Sequence, residues 1–71
     1  MNEWLEGAAR RVGGGVSVDD DEAKALLELA RVAAHGSGDR TNAPLVCYLV
    51  GLARGRGADA GVDDLARRAA G

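Results

Sequence analysis

Apolar residues recur along this chain in four runs with helical spacing, separated by glycine-rich breaks. In the first run Leu5, Ala8, Ala9 and Val12 recur at i, i+3, i+4 and i+7, which lines one side of an α-helix. Asn2 can cap that helix and the glycines at 13–15 end it; Trp4 is expected to pack at one end. The second run has the clearest start. Asp19 stands three residues before Glu22, the spacing of a reciprocal capping box, and Val18 is placed to staple against Ala23. From there Ala23, Leu26, Leu27, Ala30, Ala33 and Ala34 predict one apolar stripe. Gly36, just past it, suits the left-handed position that follows a helix, and His35 can interact with the last carbonyls.

The third helix is predicted to begin near Thr41 or Asn42, both good caps, with Pro44 in the first turn, where a missing N–H costs nothing. Leu45, Val46, Cys47, Tyr48, Leu49, Val50 and Leu52 leave it almost no polar side, so it should be central and surrounded on most sides. Gly51 would let a neighbour approach closely. Arg54 suits its C-terminal end, and the glycines between 55 and 61 form the next break. The fourth helix, about 62–70, places Val62, Leu65, Ala66 and Ala69 opposite Arg67 and Arg68. No strand-like alternation or internal repeat competes with this reading. Short connections favour antiparallel neighbours, so the chain is expected to be all-α, a compact bundle of about four short helices in a single domain over 1–71.

Composition adds a constraint on packing. Of 71 residues 46% are hydrophobic, which argues against disorder, but aromatics are only 3%, namely Trp4 and Tyr48. The core must be built from Leu, Val and Ala. Small side chains bury little area each, and a chain this short has a thin margin of stability, so self-association as a homodimer is expected. Cys47 is the sole cysteine, which excludes an internal disulfide or a cysteine-rich zinc site and fits a reducing cytoplasm. No signal-peptide pattern opens the chain and no apolar run approaches the ~20 residues that cross a bilayer, so no membrane association is expected. A net charge of −2 argues against nucleic acid as partner.

The stretches LLELARVAAHG and APLVCYLVGLARGRG resemble a small actinobacterial helical domain family of unknown function. That family occurs beside, or fused to, molybdenum cofactor guanylyltransferase-like proteins, which make molybdopterin guanine dinucleotide. The resemblance runs through Trp4, Leu5, Val18, Asp19, Ala34, His35, Gly36, Arg40, Ala43, Pro44, Leu45, Gly51, Leu52, Ala53 and Gly55, nearly the whole chain. Two departures stand out: Thr41 replaces a first proline of the pattern, and the loop between Gly36 and Arg40 is one residue longer. The resemblance implies a pathway neighbourhood, with such a guanylyltransferase as a possible partner, rather than a reaction.

One short break, AHGSGDRTNAPL at 34–45, holds the only His and the only Pro together with an Arg and an Asn. A helix N-terminus offers unpaired amides and partial positive charge, so Arg40, Thr41 and Asn42 could hold a phosphate or carboxylate, with His35 as a second donor. His35, Arg40, Thr41, Asn42 and Pro44 are therefore the candidate docking or anion-contact residues. The plainer reading is that His35 finishes one helix, Thr41 or Asn42 caps the next, and Arg40 is solvated.

Other features point to structure. The acidic run at 19–22 lacks the ligand spacing of a calcium loop and suits a helix start, so no metal is expected. Cys47 sits inside an apolar helix, far in sequence from His35, with no third group to orient an imidazole; no catalytic residue is expected. The glycine-rich breaks lack the spacing and lysine of a phosphate-binding loop. Arg54, Arg56, Arg67 and Arg68 suggest a solvated rim. An acyl carrier protein is excluded because no Asp-Ser-Leu attachment site is present. The sequence favours a non-enzymatic accessory module without a cofactor. A binder of a nucleotide or pterin phosphate and a purely structural homodimer stand as alternatives.

Overall fold

A computed structural model describes residues 2–71. Its elements are four helices: α1 (Glu3–Val12), α2 (Asp20–Gly36), α3 (Asn42–Gly55) and α4 (Val62–Ala70). The fold is all-α, as the periodicity predicts. Among the described residues no helix is long and apolar enough to cross a membrane.

Local chemistry accounts for most boundaries. The Leu5 amide donates to Asn2 Oδ1 at 2.9 Å, capping α1. At α2 the Glu22 amide donates to Asp19 Oδ1 at 2.7 Å while the Asp19 amide donates to Glu22 Oε1 at 3.1 Å, the full reciprocal box. α3 ends where Gly57, at φ +90°, turns the chain left-handed; the Ala58 amide then donates to the Ala53 carbonyl at 3.1 Å and the Gly57 amide to the Arg54 carbonyl at 3.2 Å. The turn delivers Ala58 and Ala60 to the edge of the core.

The core lies between α2, α3 and α4. Leu29, Val50, Leu65 and Ala66 are buried, and Leu26, Val46, Cys47, Ala53 and Val62 pack half-buried around them. At roughly 1.5–3 kcal/mol for burying a Leu or Val side chain, so few buried residues leave little reserve. The predicted α2 stripe is rotated by about a quarter turn. Leu29, absent from that stripe, is its centre at 2% exposure, while Leu27, included in it, is 71% exposed. Lys24, Glu28 and Arg31 share the opposite, solvated side, where Arg31 pairs with Glu28. Since α2 packs against both α3 and α4, its charged side decides which leucine faces inward.

Two expectations about packing are corrected. Trp4 does not pack at an end of the bundle but is 73% exposed. No Cα of α1 lies within 8 Å of one in α2, α3 or α4, so Trp4 has no core beside it. α3 is not surrounded on most sides. Only α2 and α4 flank it, and Leu45, Tyr48 and Leu49 on the far side are 60%, 65% and 60% exposed.

Candidate functional site

The break at 34–45 is built from polar side chains that chiefly satisfy one another. α2 runs through Gly36, which is helical and does not adopt a positive φ; Gly38, at φ +75°, makes the left-handed turn instead. Ser37, not His35, closes the helix: both its hydroxyl and its amide donate to the Ala33 carbonyl. The same hydroxyl oxygen accepts from the Asn42 side-chain amide at 3.0 Å and from the Asp39 amide at 3.2 Å, tying the end of α2 to the start of α3.

Neither Thr41 nor Asn42 caps α3 with its side chain. The Asn42 and Ala43 amides donate instead to the Asp39 and Arg40 carbonyls, and Asp39 Oδ1 fixes the approach by accepting from the Thr41 amide at 2.9 Å and the Thr41 hydroxyl at 2.6 Å. These two bonds, the hydroxyl first and the amide second, hold the Asp39 carboxyl below its ordinary range. The signal was present in the sequence: an Asp two residues before a Thr or Ser forms this local turn readily, and an acidic group is favoured at a helix start. The positive end of α3 thus already faces a carboxylate of its own chain.

The candidate residues fall into two groups. Asn42 is half-buried and lines a groove; His35, Arg40, Thr41 and Pro44 are exposed, and no described hydrogen bond or ion pair engages the side chain of His35 or Arg40. The groove, of about 510 Å³, runs between the C-terminal half of α2, the start of α3 and the end of α4. Leu29, Val32, Ala33, Leu45, Val46, Leu49 and Ala69 supply its walls, Ser37 and Asn42 its polar end, and among the described residues no charged side chain lines it. It opens onto the exposed apolar side of α3. Sequence reasoning missed this groove because it assigned every apolar residue of α3 to a core.

The remaining chemistry lies elsewhere. Cys47 is half-buried, 3.6 Å from the Leu26 carbonyl, and burial pushes its thiol up; no described hydrogen bond links it to His35. Among the described residues no group of three or more His, Cys, Asp or Glu side chains is placed to hold a metal ion. A second cleft brings Asp19, Asp21, Glu22 and Asp63 beside Arg54 at the starts of α2 and α4. Arg67 is paired with Asp64, and with Asp63 at 3.8 Å, on the surface of α4. The arrangement can offer an apolar groove with a hydrogen-bonding rim.

The chain belongs to the family described as a domain of unknown function, DUF6457, which it matches over residues 1–71. No curated protein and no solved structure matches it.

Proposed function

We propose that this member of the DUF6457 family is a non-enzymatic interaction module, whose contact surface for another protein is the rim formed by His35, Arg40, Thr41, Asn42 and Pro44. The observation that carries the reading is the contrast within the loop. Ser37, Asp39 and Asn42 fix its shape by bonding to one another, while His35, Arg40 and Pro44 are left facing solvent. A loop held rigid by one set of side chains and presenting another suits recognition, because little ordering entropy remains to be lost on binding.

The resemblance to domains found beside molybdenum cofactor guanylyltransferases supports one class of partner, an enzyme or factor handling molybdopterin guanine dinucleotide. A phosphate-binding role at the start of α3 is the weaker alternative, because the Asn42 and Ala43 amides already donate to the Asp39 and Arg40 carbonyls and the Asp39 carboxylate beside them would repel a phosphate.

Co-purification of the tagged chain from its host, alongside a variant carrying His35→Ala and Arg40→Ala, tests the reading. Recovery of a guanylyltransferase or molybdoenzyme factor by the parent alone is the expected result. Equal recovery by both places the contact away from the loop, and recovery of neither removes the pathway assignment.

A further inference from the structure

Two apolar surfaces of this chain are left without a partner, and they are of matching kind. α1 carries Trp4, Leu5, Ala8, Ala9 and Val12 along one side, with Glu3, Glu6 and Arg10 opposite. Trp4 and Val12 are 73% and 77% exposed. The second surface is the uncharged groove and the adjoining side of α3, where Leu45, Tyr48 and Leu49 lie open. The apolar side of α1 from Trp4 to Val12 spans about 12 Å, and Leu45 to Leu52 on α3 about 10 Å.

We propose that the two surfaces meet between copies: α1 of one chain lies in the groove of a second, and the second returns its own α1, giving a closed two-fold dimer by helix exchange. Within one chain the two surfaces stay apart: no Cα of α1 lies within 8 Å of one in α2, α3 or α4, and Gly13, Gly14 and Gly15, all at positive φ, make the turn beside it. The groove is therefore open to the α1 of a second copy.

Area points the same way. A folded monomer of 7.3 kDa should expose about 4,200 Å², whereas this chain exposes 5280 Å². The excess of roughly 1,100 Å² per copy is what one side of a stable dimer covers, about 800 Å² in an interface of standard size. Two exchanged contacts also close the symmetry, so no open face is left to propagate a fibre.

The test compares the full chain with Trp4→Ala and Leu49→Asp by sedimentation across about 1–100 µM, a range chosen to bracket a micromolar dissociation constant. Both sites are exposed, and Trp4 lies outside the core, so circular dichroism should show the folded α2–α4 unit in each variant. The parent is expected to be a dimer, and each variant to dissociate at least tenfold more readily. Mixing the variants should recover one of the two contacts, and with it part of the association, because the α1 of the Leu49→Asp copy fits the intact groove of the Trp4→Ala copy. A parent that stays monomeric throughout overturns the proposal, as does a dimer that tolerates Trp4→Ala. A dimer broken by Leu49→Asp alone points instead to two α3 surfaces meeting face to face, which do not involve Trp4. None of these readouts touches His35 or Arg40, so failure here leaves the loop reading standing.

Discussion

α1 and α4 are nearly equal in length, ten and nine residues, and both separate apolar from charged side chains onto opposite sides. Yet α4 buries Leu65 and Ala66, while α1 buries nothing despite carrying Trp4 and Leu5. The difference is set by what each tether allows. The segment before α4 folds Ala58 and Ala60 onto the core and brings the helix in with it; the segment after α1 spends its glycines on a turn that points the helix away. An isolated helix shorter than about 12–15 residues is marginal in water, so α1 relies on its cap and on whatever covers its apolar side. Amphipathic patterning marks a surface that needs covering, and the segment beside it decides whether that surface meets its own core.

The largest effect is expected at the core. Leu29→Ala should cost about 2–5 kcal/mol in urea unfolding, because it empties the centre of the α2–α3–α4 contact, whereas Leu27→Ala, on the same helix, should stay within about 0.5 kcal/mol. Equal losses would mean that the α2 register is wrong. Next in size are the caps. Asp19→Ala should lower stability by about 1 kcal/mol, since it removes one side of a capping box on a helix that carries the core, and Asn2→Ala should reduce helicity without moving the unfolding midpoint of a dilute sample. A matching shift from both would tie α1 to the core after all.

Glycine positions sharpen the same contrast. Gly36 is helical with open space where a Cβ would stand, so Gly36→Ala should stabilise by about 0.4–1 kcal/mol; Gly57→Ala, at φ +90°, should destabilise by more than that. The smallest effect belongs to Asp39. Its carboxyl is held below the ordinary range in the folded chain, so its contribution is complete above the unfolded value of about 3.9 and is lost as pH falls through the lower folded value. Titration followed at the Thr41 amide by NMR should show that late protonation, and Asp39→Asn should abolish it.

The helices were legible in the sequence because their start and stop signals are local: Asn2, Asp19 with Glu22, Pro44 in the first turn of α3, and the glycines before α4 all act within a few residues. What was not legible depended on distance. The inward leucine of α2 was misread because its apolar residues cover more than one side, although Lys24, Glu28 and Arg31 marked the solvated side. α3 was read as enclosed because an all-apolar helix usually is, and only the packed fold shows that two neighbours leave its third side bare. Within the candidate site, His35, Arg40 and Pro44 could be found as rare residues in a break. Asp39 and Ser37, which hold that break together, were overshadowed by the better-known capping residues Thr41 and Asn42.

The most direct test of the account is amide hydrogen exchange of the full chain, read by mass spectrometry on peptides from α1 and α4 at high and low protein concentration. The account predicts that α4 keeps the same protection throughout while α1 is protected in the concentrated sample and exchanges almost freely in the dilute one. Protection of α1 that does not change with dilution would show that the helix finds its cover within its own chain, and would contradict the account.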